Sequence, residues 1–169
     1  MRPSTFAEVA GVPAHRSFFW RRLVAASGGA EDVTNWLIAQ ANARGFLGAI
    51  VAREASAHEG VSAEDLVVGL LMPHAEPDAR VIKLIVRMLQ SGRLDRDKLV
   101  FRARRERAEH ALSWVLTLVP PTEWNEQLES VRNRLGVLRG TARFAFRYDS
   151  QRLIRRPASG ESLWRAKRH

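Results

Sequence analysis

The stretch from residue 81 to residue 119 limits the fold most strongly, because its apolar residues recur with the period of an α-helix. It reads VIKLIVRMLQSGRLDRDKLVFRARRERAEHALSWVLTLV and contains no proline. The first apolar face comprises Val81, Ile82, Leu84, Ile85, Met88 and Leu89. This spacing predicts a helix with one buried side. Gly92 predicts the end of that helix, and Asp95 is a suitable N-cap for a second, longer helix that runs to Val119. The pair predicts a helical hairpin around which the fold is built.

The remaining segments also have helical signals. Helices are predicted over 17–26, 32–44, 46–57 and 122–138, and a further helix begins at Ser62, where a serine with an acid three residues later has the form of a capping box. Gly28-Gly29 and Pro120-Pro121 are stop signals. The sequence therefore predicts an all-α fold: one bundle of about six helices, built on antiparallel hairpins over residues 1–138, followed by a basic, partly extended or flexible arm at residues 139–169.

Length and composition exclude several classes of protein. The 169 residues suit one domain with an appendage and leave little room for a second, catalytic domain. The absence of cysteine excludes disulfides, thiolate chemistry and cysteine-ligated metal centres in this chain. No apolar run approaches eighteen residues, and the first fifteen residues lack the apolar segment of a signal peptide. We therefore expect a cytoplasmic protein that does not enter a membrane.

Catalytic motifs are also missing. The five histidines do not cluster with acids at the spacing of metal ligands. His74-Ala75-Glu76 has the H-x-E form of zinc deaminases, but the P-C-x-x-C that completes such a site requires cysteine. The sequence contains neither a phosphate-binding glycine motif nor a serine in the context of a nucleophile elbow. We expect a protein that is not an enzyme, with no metal, no cofactor and no small-molecule substrate.

The net charge of +9 is confined to one end of the chain. Residues 1–131 hold 16 basic and 16 acidic side chains, whereas residues 132–169 hold 11 basic residues, ten of them arginine, against Asp149 and Glu161. Arginine can hold a phosphate with two parallel hydrogen bonds, so this segregation predicts RNA or DNA as a partner. An arginine-rich coding bias with a solvated tail is the alternative, but such a bias would have made the first 131 residues basic as well.

Within the body of the protein, the second central helix contains two potential ion pairs. Arg102 precedes Glu106 by four residues, and Arg105 precedes Glu109 by four. On a continuous helix this spacing predicts that each arginine pairs with its acid. The sequence therefore predicts that Arg102 and Arg105 are neutralised locally.

Two arginines of the same helix have no such partner. Arg104 and Arg107 are predicted to form a phosphate-binding patch that continues to Arg93 and Lys98. The alternative is that both arginines extend from the edge of the core, or pair with an acid distant in sequence.

The C-terminal arm combines arginines with aromatic residues. Its candidate phosphate contacts are Arg139, Arg143, Arg147, Arg155 and Arg156. Between 143 and 148 the residues alternate, so that an extended chain would place Phe144, Phe146 and Tyr148 on one side. These rings could stack on unpaired bases, or they could dock on this domain or on a neighbouring subunit.

A set of short motifs resembles a known family. The matching residues are Ser91-Gly92-Arg93-Leu94-Asp95, Leu99, Arg104, Arg107, Pro121, Trp124, Gln127 and Leu128. Over residues 87–148 they are similar to the small subunit of type I-E CRISPR surveillance complexes, known as Cascade. The resemblance implies a non-enzymatic helical subunit that packs along an RNA–protein filament, often in several copies, and contacts the crRNA–target duplex or the displaced DNA strand. Arg93, Arg104 and Arg107 are the residues carried over by it.

A second class of function is open on the same sequence. Similar blocks begin near residues 29, 62 and 95, and two helices per 33 residues is the size of an α-hairpin repeat. The chain could therefore be a HEAT-like helical adaptor that binds a protein partner, with the arm as its docking segment. If the chain is instead a nucleic-acid-binding subunit, its expected partners are nucleic acid and the other protein subunits of a larger complex, which could include further copies of this chain.

Overall fold

A computed structural model describes residues 17–29, 33–46, 56–72 and 79–138 of the protein. Within these ranges the regular secondary structure is entirely helical, with seven α-helices and no strand, so the predicted all-α class is confirmed. The helices are α1 (Phe18–Ser27), α2 (Val33–Ala43), α3 (Ala63–Leu71), α4 (Ala79–Gln90), α5 (Arg96–Arg105), α6 (Glu109–Thr117) and α7 (Glu126–Leu135), with a 3₁₀ turn at Pro121–Glu123.

The centre of the bundle is α3 rather than the hairpin that follows it. All residues of α3 from Glu64 to Leu71 are buried, and the helix packs against α2, α4, α5 and α6. Gly69 allows its neighbours to approach, because a Cβ there would lie 2.9 Å from Cδ1 of Leu23 on α1 and 3.1 Å from Cδ1 of Leu37 on α2. A helix that is buried on all sides has no polar face, so its sequence shows little amphipathic pattern. The sequence therefore favours the more amphipathic α4 as the centre of the fold.

Several helix ends agree with the sequence prediction. At the start of α1 the hydroxyl of Ser17 accepts from the Trp20 N–H, and Gly28 ends the helix with a φ of 86°. At the start of α3 both hydrogen bonds of the predicted capping box are present, between Ser62 and Asp65. The predicted apolar face of α4 is fully buried.

The prediction of one long helix from residue 95 to residue 119 is wrong. The predicted helix is interrupted between α5 and α6, where Arg107 has a left-handed backbone conformation with a φ of 57°. The Arg107 N–H donates to the Arg104 carbonyl at 3.1 Å, and the Ala108 N–H donates to the Ala103 carbonyl at 2.7 Å. These two bonds form a Schellman motif, which closes α5 and starts the chain in a new direction.

Glycine usually holds the left-handed position of such a motif, and the end of α2 follows that rule. There Gly45 has a φ of 80°, and the N–H of Phe46 donates to the Ala41 carbonyl at 3.0 Å. At the end of α5 the same position holds an arginine. Glycine and proline are the usual sequence signals for the end of a helix, and neither occurs at this position, so the sequence does not predict the interruption.

The last helix also begins later than predicted. Asn125 accepts from the Leu128 N–H, so α7 starts at Glu126 rather than at residue 122. The residues before it form the 3₁₀ turn, and the indole of Trp124 donates to the Val119 carbonyl at 2.9 Å. Most of the helix predicted over 46–57, and the whole arm at 139–169 with its domain boundary, lie outside the described residues.

Candidate nucleic-acid interface

Arg93, one of the predicted phosphate contacts, is held by the end of α2. Its Nη2 donates to the Arg44 carbonyl at 2.9 Å, and its guanidinium lies 4.4 Å from the centroid of the Phe46 ring. A cation over an aromatic face and a donor on a helix-end carbonyl both stabilise the junction of α2 with the loop after α4. Arg93 thus has a structural role within the bundle, and its contact with nucleic acid stays a prediction.

Lys98 has an acidic partner on α3. Its ammonium lies 3.2 Å from Oε2 of Glu64, while Oε1 of the same carboxylate accepts from the Asp95 N–H at 2.9 Å. The buried Glu64 therefore fixes the start of α5 against the start of α3. Part of the charge of Lys98 is neutralised by this pair.

Arg104 binds the C-terminal end of α7. Its Nη2 donates to the carbonyls of Arg134 and Leu135, at 2.9 and 3.1 Å. Carbonyls in the last turn of a helix lack partners within the helix, so a cationic donor is favourable there. Arg104 therefore has an internal partner, but this partner is a helix end and not the distant acid of the alternative interpretation. Its contact with nucleic acid stays a prediction.

The ionisation of Glu64 makes the stability of the bundle depend on pH. Burial alone would raise the pKa of Glu64, but the Asp95 N–H, its own N–H and the Ser62 hydroxyl stabilise the carboxylate. Together with Lys98 they hold the pKa below its ordinary value of 4.5. Because the folded-state pKa is depressed, the resulting stability is present above pH 4.5 and is lost as pH falls through the folded value.

We expect Glu64→Gln to lower the free energy of unfolding near neutral pH, and we expect this difference from the wild type to shrink below pH 4.5. Urea unfolding at a series of pH values from about 7 to about 3 measures both quantities. A wild-type advantage that grows as the pH falls would contradict this assignment.

The two predicted ion pairs within the second central helix are wrong. Arg102 lies beside Asp65 of α3, and Glu106 accepts a hydrogen bond of 2.6 Å from the Ser17 hydroxyl. Oε2 of Glu109 is buried without a hydrogen-bond partner among the described residues. The i, i+4 rule fails here because α5 ends at Arg105, so residues on either side of the break no longer share a helical face.

Asp65 is the acid that organises this part of the molecule. Its Oδ2 lies 3.0 Å from Nη2 of Arg22 and also accepts from the Ser62 N–H. Its Oδ1 lies 3.0 Å from Nε of Arg102 without the alignment of a hydrogen bond, so that contact is an ion pair only. One buried carboxylate therefore binds α1 and α5 to the start of α3.

The two arginines held by Asp65 form the floor of an open cleft between α1 and the end of α5. Their guanidinium carbons lie 5.6 Å (Arg22) and 5.2 Å (Arg102) from the centroid of the Phe19 ring. We call this cleft the α1–α5 cleft, and its volume is about 430 Å³. The residues that line it are Ser17, Phe18, Phe19, Arg22, Arg102, Arg105, Glu106 and Arg107. Four of the lining side chains are arginines and one is an acid.

The rim of the α1–α5 cleft combines an exposed ring with two exposed guanidinium groups. Phe18 is 73% exposed. Arg105 and Arg107 are exposed as well, and neither side chain makes a hydrogen bond or ion pair with another residue in the described part of the chain.

Of the residues that line the cleft, only Arg107 is among the phosphate contacts that the sequence predicts. The sequence predicted instead that Arg105 pairs with Glu109. The observation that could have indicated the cleft is the order Phe18-Phe19-Trp20, because three successive aromatic residues cannot all face the core of one helix.

The left-handed backbone of Arg107 predicts a change in stability on substitution. A residue with a Cβ pays about 1–2 kcal/mol in this conformation, more than the roughly 0.4–1 kcal/mol that glycine loses through its freer unfolded chain. We therefore expect Arg107→Gly to raise the free energy of unfolding by about 0.5–1 kcal/mol, measured by urea denaturation. Arg107→Ala is the matched control, since it removes the same side chain without relieving the backbone. A glycine variant less stable than the alanine variant would contradict this expectation.

The other candidates cannot be placed in the structure. Arg139, Arg143, Arg147, Arg155 and Arg156, and the rings of Phe144, Phe146 and Tyr148, lie outside the described residues. The last described basic residues before them belong to α7. There Arg132 lies over the ring of Trp124, with 4.6 Å from its guanidinium carbon to the centroid, and Arg134 pairs with Asp97 at 2.5 Å.

Comparison of the chain with models of protein families, with curated proteins and with solved structures gave no match. Within the described ranges, no helix has the length and apolar character needed to cross a bilayer. The same ranges contain no group of three or more histidine or acidic side chains that could hold a metal ion.

Proposed function

We propose that this protein is a non-catalytic, nucleic-acid-binding subunit of a ribonucleoprotein assembly. The observation that carries the proposal is the rim of the α1–α5 cleft, where Arg105 and Arg107 have no partner among the described residues and line the same cleft as the exposed ring of Phe18. Guanidinium groups bind phosphates, and aromatic rings stack on bases. Both parts of a nucleotide are thus matched within one cleft.

The charge of the C-terminal arm supports the same proposal. Eight arginines and one lysine stand against two acids in residues 139–169. A chain with this composition attracts a polyanion over a long distance and binds it with little dependence on sequence. The arm would hold the backbone of the nucleic acid while the bundle fixes its position.

The resemblance of residues 87–148 to the small subunit of type I-E Cascade makes a CRISPR effector complex the assembly that we propose first. In such a complex the chain would lie against other protein subunits, including further copies of itself, and would contact the crRNA–target duplex or the displaced DNA strand. Genes for a Cascade backbone next to the gene for this protein are the expected genomic context.

A gel-shift experiment tests the binding proposal. The full chain is titrated at low salt against labelled single-stranded RNA, single-stranded DNA and an RNA–DNA duplex, each of mixed sequence. We expect at least one of these to be retained at micromolar protein or below. Absence of retention with all three would overturn the proposal and would favour the adaptor hypothesis.

A further inference from the structure

We infer that the α1–α5 cleft binds one unpaired nucleotide of a single strand, with its base stacked on Phe18 and its phosphate held by Arg105 and Arg107. This inference rests on the proposed function and adds to it the form of nucleic acid that the bundle recognises. It is carried by the geometry of the cleft together with the unusual backbone of Arg107.

The first step concerns the exposed ring. Phe18 lies in the first turn of α1, next to Phe19, whose ring is buried under two guanidinium groups. A phenylalanine that is 73% exposed leaves most of its apolar surface in water, so it adds little burial free energy to the fold of the free protein. A base stacked on the ring would cover this surface, and only an unpaired base has a free face to offer.

The second step concerns the backbone. In the Schellman motif that ends α5, the left-handed position belongs to Arg107, although glycine would hold it with less strain. The chain uses glycine in the same motif at Gly45. Strain of this kind is typical of functional sites. Here the residue with the strained backbone, Arg107, is also one of the two arginines exposed at the rim of the cleft.

The third step concerns charge. Asp65 neutralises part of the charge of Arg22 and Arg102 from behind, and Glu106 is held by the Ser17 hydroxyl. Asp65 and Glu106 together offset two of the four lining arginines, so the cleft keeps an excess of two positive charges, and Arg105 and Arg107 are the two arginines exposed at its rim. Two guanidinium groups that line one cleft can each donate to one of the two free oxygens of a phosphodiester. The volume of about 430 Å³ falls within the range of small-molecule sites, roughly 300–1,000 Å³, so a single nucleotide can be accommodated.

The test measures the affinity of the full chain for nucleic acid by fluorescence anisotropy. The probes are two labelled single strands of mixed sequence, one of RNA and one of DNA. Phe18→Leu removes the ring, Phe18→Tyr keeps it, and Phe101→Leu is the matched control, because Phe101 is also exposed but lies outside the cleft. We expect Phe18→Leu to weaken binding by about fivefold or more, while the other two variants bind like the wild type. The same strand with abasic sites should bind the wild type and Phe18→Leu equally.

Arg107→Gly supplies a readout that misfolding cannot imitate. We expect this variant to be more stable than the wild type and yet to bind the strand more weakly, with a shallower dependence of affinity on salt. Weaker binding by a more stable protein assigns the loss to the missing guanidinium. Arg96 is partly exposed, pairs with Glu126 of α7 and does not line the cleft, so Arg96→Gln provides the control.

The outcomes separate this inference from the proposed function. If the full chain binds the strand but Phe18→Leu and Arg107→Gly bind like their controls, the cleft inference is overturned while nucleic-acid binding stands. If the full chain binds no strand, both fall. A free nucleoside monophosphate that binds as tightly as the strand would reassign the cleft to a free nucleotide and would also overturn the inference.

Discussion

Asp65→Ala is expected to lower the free energy of unfolding by about 3 kcal/mol or more, a large part of the roughly 5–15 kcal/mol that stabilises a domain. The carboxylate is 4% exposed and lies 3.0 Å from a guanidinium nitrogen of Arg22 on α1 and of Arg102 on α5. Its removal leaves two cations facing each other over the Phe19 ring and also removes one half of the capping box of α3. Urea or thermal unfolding followed by circular dichroism measures the loss.

Two further variants separate the contributions to this loss. Asp65→Asn keeps an oxygen for the Ser62 N–H and removes only the charge, so it should lie between the wild type and the alanine variant. Asp97→Ala is the matched control, because Asp97 is an acid in the first turn of α5 that pairs with Arg134 on the surface. Its effect should be small, since exposed ion pairs contribute little. An Asp65→Ala protein as stable as the Asp97→Ala protein would contradict the central role of this carboxylate.

The second large effect is expected in the C-terminal arm. Substitution of its five candidate arginines by glutamine, at 139, 143, 147, 155 and 156 in the full chain, should weaken binding to a single strand by about a hundredfold or more at low salt. Each phosphate contact on a single strand contributes about 0.7 to the slope of log affinity against log salt, so the slope should fall by up to about 3.5. Anisotropy titrations at four or more salt concentrations give both numbers.

The control for the arm keeps its charge. With lysine at the same five positions, the electrostatic attraction remains while the two parallel hydrogen bonds of each guanidinium are lost. We expect this protein to keep most of the salt dependence and to lose only a small part of the affinity. If the glutamine protein binds with the wild-type slope, the arm does not contact phosphate.

The sequence predicted those features of the fold that depend on neighbouring residues in the chain. The buried face of α4 follows from the spacing of Val81, Ile82 and Leu84, and the capping box at Ser62 follows from the acid three residues later. Such signals act within one helical turn or a few, so they can be recognised without knowledge of the tertiary structure.

What the sequence could not predict depends on contacts between distant parts of the chain. The partner of Arg102 is Asp65, 37 positions away, and the partners of Arg104 are carbonyls at the end of α7. The break at Arg107 has no glycine or proline to mark it, and it changes which side chains share a face. The predicted patch of Arg93, Lys98, Arg104 and Arg107 is thus divided among three different internal contacts and one exposed rim.

We propose above all that this helical bundle with an arginine-rich end binds nucleic acid. The most direct test of this claim is the affinity of the full chain for a mixed-sequence single strand, measured between about 50 and 400 mM salt. We predict a linear fall of log affinity with log salt, with a slope of about −3 or steeper, and little difference between sequences. Binding that is absent at the lowest salt, or an affinity that does not change across the series, would contradict the claim.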